Sequence, residues 1–337
     1  YEWRTKYGKA IRFDVLQSTN YIEQDRVFKY MLTYEKIEKA RLHHGETSST
    51  FYRFFRGFFP VQGSEDCIYS DTDFNAYVTD KIDWKSPPKK VAGIDMAFTS
   101  GGDRTAVCVC LYGENKDGWP CIQFEKIHLV KDDAANKKVT RTDQVIYAIK
   151  KILDQEGIPY ENVAADNSSG GGITFIDRLV QITSPHVLRV NFGGKASDKP
   201  VSANDRTPSH KKYYNRVSEL WGVGIEFMRG GQFAGLMKDP ELVSEMKARR
   251  YEDVKGGDGE RMRVESKDKM KPRTGRSPDK ADAFFIAVEL CRHKFHFRSQ
   301  ERGLAVLPKK DFIRSIQRFD VVSASTGGLG DWAPLAG

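Results

Sequence analysis

Four aspartates of this chain lie where an apolar stretch ends or begins. Asp95 and Asp166 each end a short run of small and branched apolar residues, as expected for buried strands. Asp279 and Asp282 open a longer apolar stretch. A carboxylate beside buried apolar surface is costly unless a cation or hydrogen bonds compensate it. Three such places, far apart in sequence, predict carboxylates that converge on a hard divalent metal ion, which takes oxygen ligands. That arrangement favours metal-dependent phosphodiester chemistry.

Each aspartate also has an ordinary structural role open to it. Asp166 precedes a helix and could cap it. Asp279 and Asp282 share one face of a helix near its start, where a carboxylate stabilises the helix dipole by only about 0.3–1 kcal/mol. Asp103 follows two glycines and is either a secondary metal ligand or a turn residue. The metal hypothesis depends on all the sites together, because like charges repel and persist as a cluster mainly when a cation neutralises them.

The elements around these aspartates are predicted from their hydrophobic spacing and turn residues. Three strands come first, then helices alternate with strands, and the order β, β, β, α, β, α, β favours a mixed sheet flanked by helices. The predicted strands are 91–96, 105–112, 121–130, 162–166 and 186–191, and the predicted helices are 140–156, 170–182 and 209–220.

The remaining segments are a hairpin, further helices and a basic run. Residues around 25–43 and 240–250 are predicted helical, and glycines at 256–259 predict the tip of a hairpin over 250–265. Pro278 fits the first turn of the helix that contains Asp279. Five cations lie between the hairpin and this helix, where they could clamp a phosphate backbone or form only a solvated face: Lys267, Lys269, Lys271, Arg273 and Arg276.

Composition favours an anionic partner and gives no sign of a membrane span. The chain has 337 residues, a formal net charge of +8 and a pI near 9.0, which favours a polyanion such as nucleic acid. No apolar stretch approaches the roughly 18 residues that a spanning helix needs. Because Tyr1 is not methionine, we expect the chain to be a fragment or a processed product.

The order of these motifs resembles a known superfamily. An aspartate in the first strand, another at the end of the fourth, and Asp-x-x-Asp-Ala on the last helix are typical of ribonuclease H-like nucleases. The stretch Ser277–Ala283 is also similar to the last motif of Holliday-junction resolvases. With the glycine-rich hairpin and Glu265–Met270, the chain more closely resembles the large terminase subunit of tailed bacteriophages. Those proteins combine an N-terminal ATPase with a C-terminal nuclease in the DNA-packaging motor.

This resemblance implies a domain organisation. Residues 1–88 would be the end of the ATPase domain and a linker, because 53–60 is similar to the stretch that closes the ATPase half. Residues 89–297 would be the ribonuclease H-like nuclease domain, and 298–337 a C-terminal tail. The nucleotide-binding motifs of the ATPase half are absent from the sequence, so we do not expect this chain to hydrolyse ATP.

The resemblance also implies a reaction, a site and partners. The chain would be an endonuclease that cuts double-stranded DNA during packaging, with two Mg²⁺ or Mn²⁺ ions. Asp95 would bridge the ions, Asp166 would be a further ligand, and Asp279 and Asp282 compete for the third position. Portal protein and small terminase subunit are expected partners, and the host cytoplasm the expected location.

Two rival functions stay open at this point. The segments after Asp95 and Asp166 resemble the two phosphate loops of actin-like and sugar-kinase ATPases, which share the core fold but need a duplicated domain. Mg²⁺-dependent ATPase activity would favour that reading. The second rival is a non-catalytic DNA-binding or docking module, which the aspartates disfavour because DNA repels uncompensated carboxylates.

Overall fold

The computed structural model describes most of the first 299 residues, which belong to one compact unit spanning residues 1–300. The described ranges are 2–5, 8–11, 13–44, 51, 55–57, 67–96, 104–133, 135–168, 171–202, 206–256 and 259–299. Asp103, most of 53–60 and the predicted tail therefore lie outside them. Within these ranges, no helix is long and apolar enough to cross a membrane.

A six-stranded mixed sheet forms the centre, in the order β7-β6-β3-β4-β5-β8. Its strands are β3 (Lys89–Asp95), β4 (Thr105–Glu114), β5 (Pro120–Val130), β6 (Val163–Asp166), β7 (Leu188–Val190) and β8 (Phe233–Ala234). The first three form the predicted antiparallel meander, whereas β6 pairs in parallel with β3 and β7 with β6. This confirms the predicted mixed α/β sheet flanked by helices.

Two short antiparallel hairpins lie outside the central sheet. One pairs β1 (Glu2–Thr5) with β2 (Gly8–Ile11), and the other pairs β9 (Tyr251–Gly256) with β10 (Gly259–Val264). The second is the hairpin predicted from its glycines.

Helices cover both faces of the sheet. They are α1 (Thr19–Ile22), α2 (Tyr34–His44), α3 (Asp71–Tyr77), α4 (Arg141–Glu156), α5 (Gly171–Ile182), α6 (Ser209–Lys212), α7 (Arg216–Arg229), α8 (Pro240–Ala248), α9 (Lys267–Thr274) and α10 (Asp279–Lys294). Alternation along β3 sends Ala92 and Ile94 into a core with α4 and α5, and Val91 into a second core with α7 and α10. Because both faces are buried, the strands read as apolar runs.

Two predicted helices differ from the observed ones, and one observed helix was not predicted. The helix expected around 25–43 begins only at Tyr34. The basic helix expected over 209–220 is two helices, because Asn215 is extended and its side chain caps the new helix at Ser218. The basic run, for which no element was predicted, forms α9 with Ser266 as its cap and Pro272 inside it. The starts of α7 and α9 depend on capping side chains within polar segments, where hydrophobic spacing gives no signal.

Part of the segment 1–88, which the resemblance assigns to the end of the ATPase domain and a linker, packs into the main core. Tyr69 and Phe74 are buried, and the Tyr69 hydroxyl donates to the Trp221 carbonyl at 2.7 Å. The proposed boundaries at residues 88 and 297 remain a prediction.

Gly93 allows α10 to cross β3 at close range. A Cβ atom built on Gly93 would lie 2.1 Å from the carbonyl oxygen of Ala283 and 2.3 Å from the amide nitrogen of Ala287. Both are backbone atoms of α10, so no rotamer change could relieve the clash. The start of α10, with its two aspartates, is therefore held against the end of β3.

We predict that Gly93→Ala lowers the free energy of unfolding by about 3 kcal/mol or more, at the upper end of overpacking costs. The measurement is urea unfolding followed by circular dichroism. Gly113→Ala is the matched control, because its added methyl would meet Trp84 and Pro88 at 3.3–3.4 Å, which a small shift can accommodate. Equal losses in the two variants would contradict the close-approach argument.

Candidate metal centre

Asp95 and Asp166 end two neighbouring parallel strands. Ile94 pairs with Ala165 across the parallel strands β3 and β6. Asp95 and Asp166 are the next residues of these strands, so both lie at the edge of the sheet formed by the carboxyl ends of the two strands. They are 4% and 8% exposed. The two residues therefore lie on adjacent strands, and the fold brings two buried carboxylates together.

Asp279 and Asp282 reach the same edge from the first turn of α10, where both are buried. Burial raises the pKa of Asp95 well above its ordinary value; the ammonium of Lys267 opposes that rise, and the negative charges of Asp282, Asp166 and Asp279 add to it. The four predicted aspartates therefore act on one another electrostatically, as a cluster does.

Asp282 is fixed by groups from two other helices. Its Oδ1 atom accepts a hydrogen bond from Trp221 Nε1 at 2.9 Å and one from Arg249 Nη1 at 3.3 Å. Arg249 is itself buried, with its guanidinium 4.9 Å from the centre of the Trp221 ring. The second oxygen, Oδ2, is buried and lies 3.0 Å from the ammonium of Lys267. One oxygen of Asp282 is therefore held by hydrogen bonds and the other by an ion pair.

Lys267 places its ammonium between two of the carboxylates. Its Nζ lies 3.0 Å from Asp282 Oδ2 and 3.6 Å from Asp95 Oδ2. Burial opposes the charge of this ammonium, but the two carboxylates outweigh burial and raise the pKa of Lys267. Lys267 was predicted as a phosphate contact, and the structure places it inside the carboxylate cluster.

Asp166 is oriented by the residue two positions after it. Its Oδ1 atom accepts hydrogen bonds from the Ser168 amide at 3.0 Å and from the Ser168 hydroxyl at 2.6 Å. Burial nevertheless raises the pKa of Asp166, because it outweighs these two hydrogen bonds.

Asp279 is held by Arg104, a residue that no sequence motif marks. Its Oδ2 atom accepts from the Arg104 amide at 2.9 Å, and the Arg104 guanidinium also pairs with Glu241 at 3.0 Å and Glu245 at 3.3 Å. Glu245 accepts from the Ala281 amide at 3.0 Å. Arg104 adjoins the turn predicted to carry Asp103, and that adjacency was the only available signal.

Glu245 is a second residue that sequence reasoning missed. Burial raises its pKa to about 8; the hydrogen bond from Ala281 opposes the shift, and the nearby charges of Asp279 and Asp282 increase it. An acidic residue among the apolar positions of α8, beside the buried Leu242 and Met246, was a usable signal.

The donor set suits a hard divalent cation. The described residues hold no ready-made group of three ligating side chains. However, buried carboxylate oxygens of Asp95 and Asp282 face the ammonium of Lys267, a cation held within the cluster. Carboxylate oxygens are the ligands that Mg²⁺ and Mn²⁺ prefer. Asp103, the possible secondary ligand, lies outside the described residues.

Other cations of the basic run are also engaged by carboxylates. Lys269 Nζ lies 2.6 Å from Glu252 Oε1, Arg273 pairs with Glu265, and Arg276 pairs with Glu241. Phosphate contacts by this run, including Lys271, therefore remain a prediction.

We predict strong coupling between Arg249 and Asp282. Arg249→Met leaves a buried carboxylate without one of its cations, which costs about 3–5 kcal/mol of stability. Adding Asp282→Asn should recover part of that loss, with a coupling energy of about 1–3 kcal/mol. The measurement is a double-mutant cycle of urea unfolding in EDTA. The control pair Lys85 and Glu114, more than half exposed, should couple by less than about 1 kcal/mol; similar coupling in both cycles would refute the assignment.

Comparisons with known proteins point to one group of structures. No protein-family model matches the chain, and no curated protein sequence matches it. Among solved structures, the nuclease domain of the large terminase subunit gp2 of bacterial virus Sf6 is similar, with 13% identity, a TM-score of 0.47, and coverage of 66% of this chain and 97% of that one. A K428A mutant of that domain with calcium gives a TM-score of 0.48.

A second match is the HK97 bacteriophage large terminase. It shares 14% identity at a TM-score of 0.39, covering 82% of this chain and 54% of that one. These likenesses concern the fold alone.

Proposed function

We propose that this chain is a divalent-metal-dependent endonuclease acting on double-stranded DNA, the nuclease part of a phage large terminase. One observation carries the proposal: the ammonium of Lys267 lies between buried oxygens of Asp95 and Asp282, at the edge where β3, β6 and α10 meet. A fold that buries like charges at one point needs a cation there. The lysine marks where positive charge is stabilised.

Asp95, Asp166 and Asp282 are the proposed metal ligands. Asp282 is favoured over Asp279 because Trp221 and Arg249 hold its Oδ1 atom by hydrogen bonds. Its Oδ2 atom contacts the ammonium of Lys267, which also contacts Asp95. Asp279 instead accepts the Arg104 amide. Asp279 then contributes negative charge and supports the start of α10.

Two bound Mg²⁺ or Mn²⁺ ions would supply activation of water and stabilisation of the leaving oxygen in phosphodiester hydrolysis. The chain's own residues supply orientation. Trp221 and Arg249 fix one oxygen of Asp282, and Ser168 fixes one oxygen of Asp166. Ligands held in place in this way lose little freedom when a metal binds.

Lys267 compensates the carboxylates when metal is absent. Its side chain remains 36% exposed, so the flexible stem has room to swing the ammonium away from the cluster. Released in this way, the ammonium becomes available to a phosphate, which reconciles its observed position with its predicted phosphate contact.

The proposed partners follow from charge and from the resemblance. A net charge of +8 supports a polyanionic substrate, and we propose double-stranded DNA, with portal protein and small terminase subunit as further partners in the host cytoplasm. An actin-like ATPase would need two related domains, and the described residues form one six-stranded sheet with two separate hairpins.

We predict that Asp95→Ala, Asp166→Ala and Asp282→Asn each lower plasmid cleavage more than about a hundredfold, because removing a metal ligand forfeits several kcal/mol of transition-state stabilisation. Asp279→Asn should retain more activity than Asp282→Asn. The measurement is the rate of supercoiled plasmid loss in Mg²⁺ or Mn²⁺, with EDTA as the blank.

Asp198→Asn is the control for charge loss, because its side chain is 96% exposed and, among the described residues, pairs only with His210 at the surface. Cleavage by Asp95→Ala at the wild-type rate would end the nuclease assignment. ATP hydrolysis that requires Asp95 would favour the kinase-like rival instead.

We predict that Mn²⁺ raises the melting temperature of the wild-type chain. At a hundred times the dissociation constant, binding to the native state alone adds about 2.7 kcal/mol of stability. Asp95→Ala and Asp282→Asn should lose this gain, and Asp198→Asn should keep it. Differential scanning calorimetry with and without Mn²⁺ tests this; a gain that survives in both site variants would mean that the ion binds elsewhere.

A further inference from the structure

An exposed tyrosine lies beneath two arginines on the hairpin next to the metal centre. Arg261 and Arg263 of β10 place their guanidinium carbons 5.4 Å and 4.7 Å from the centre of the Tyr214 ring. Tyr214 is 39% exposed, whereas its neighbour Tyr213 is buried. The three side chains therefore form a cationic surface, here called the Tyr214 clamp.

The backbone holds the clamp in register. The Tyr214 amide donates to the Met262 carbonyl at 2.9 Å, and Tyr213 forms a parallel bridge with Met262. Arg261 and Arg263 flank Met262, so both lie on the strand face opposite to that residue, which packs against the core. The positions of both guanidinium groups are set by a fixed strand and by the ring below them.

The two arginines of the clamp have no ion-pair partner among the carboxylates whose side chains the structure describes. Glu252 pairs with Arg263 across the hairpin backbone, but its carboxylate bonds to Lys269 at 2.6 Å. The basic run, by contrast, shares most of its charge with carboxylates, so a phosphate would have to compete for those cations.

The clamp is continuous with the metal centre. Two residues after Arg263, the Glu265 carbonyl accepts from Arg249 Nη2 at 3.0 Å, and Arg249 contacts Asp282. Lys267, which also contacts Asp282, lies two residues after Glu265 in the chain. A rod-like anion that lies along β10 is thereby directed toward the carboxylate cluster.

We propose that the Tyr214 clamp binds the phosphate backbone of duplex DNA beside the metal centre, an inference that rests on the proposed function. Guanidinium groups match phosphate geometry, and stacking on tyrosine orders them before binding, which reduces the entropy lost. The arginines lie over the ring that a base would otherwise stack on. Backbone contact is therefore favoured over reading of unpaired bases, and it holds DNA without selecting sequence.

The test is fluorescence anisotropy of a labelled 30-base-pair duplex in EDTA at four salt concentrations. Arg261→Gln/Arg263→Gln should reduce the slope of log affinity against log salt by about 1.8, two phosphate contacts at about 0.9 each, and weaken binding tenfold to a hundredfold near 0.1 M salt. Lys85→Gln/Lys116→Gln, which removes the same charge from exposed residues at the opposite edge of the sheet, should leave the slope unchanged.

A second pair of variants separates ordering from charge. Arg261→Lys/Arg263→Lys and Tyr214→Leu keep both positive charges, so the salt slope should hold while affinity falls about threefold to tenfold as the preformed stack is lost. Circular dichroism confirms folding of each variant. An unchanged salt slope and an unchanged affinity for the duplex in Arg261→Gln/Arg263→Gln would overturn the proposal. A variant that loses affinity for single-stranded DNA but keeps its affinity for the duplex would overturn it as well.

Failure of the clamp and failure of the nuclease assignment give different results. Because binding is measured without metal, a reduced slope supports the clamp even if Asp95→Ala still cuts plasmid. An intact slope together with an inactive Asp95→Ala variant would reject the clamp and retain the nuclease.

Discussion

The close contact between α10 and β3 is the constraint on which the rest of this structure depends. Gly93 has no side chain, so the backbone of the helix at Ala283 and Ala287 packs directly on the strand. That contact carries two aspartates of the helix to the edge where Asp95 ends its strand. A methyl group at position 93 would separate the helix from the sheet and open the cluster. The close packing of Gly93 against α10 in the apolar core therefore determines where the carboxylate cluster forms.

The contact between α10 and β3 is stable only because cations compensate the aspartates that it brings together. Arg249 and Lys267 balance Asp282 from one side, and Arg104 supports Asp279 from the other. Each of these cations belongs to a different part of the chain, so the cluster also ties the hairpin, α9 and the sheet together. A metal ion would take over part of this compensation, which links metal binding to stability in this protein.

The other end of α10 is fixed by a second set of buried charges. Arg292 donates to Glu219 of α7 and to Glu289 of its own helix, each at 2.9 Å. Arg216 adds an ion pair to each of these glutamates. Buried ion pairs of this kind add little net stability. They oppose a shift of the helix out of its position, because breaking a pair leaves an uncompensated buried charge. The helix is thereby held at both ends, with the aspartates at one of them.

The sequence by itself determined the mixed sheet and most strand and helix positions, because these depend on local hydrophobic spacing. It also selected the four aspartates as candidate site residues, because carboxylates at the ends of apolar runs can be recognised locally. Only the tertiary structure decided what compensates them. Lys267 looked like one cation of a solvated run, Arg104 carried no motif, and Glu245 was marked only as an acidic residue among apolar positions, because their contacts join separate elements of the chain. The orientation of the Asp282 carboxylate likewise depends on Trp221 and Arg249, whose side chains reach it only once the chain has folded.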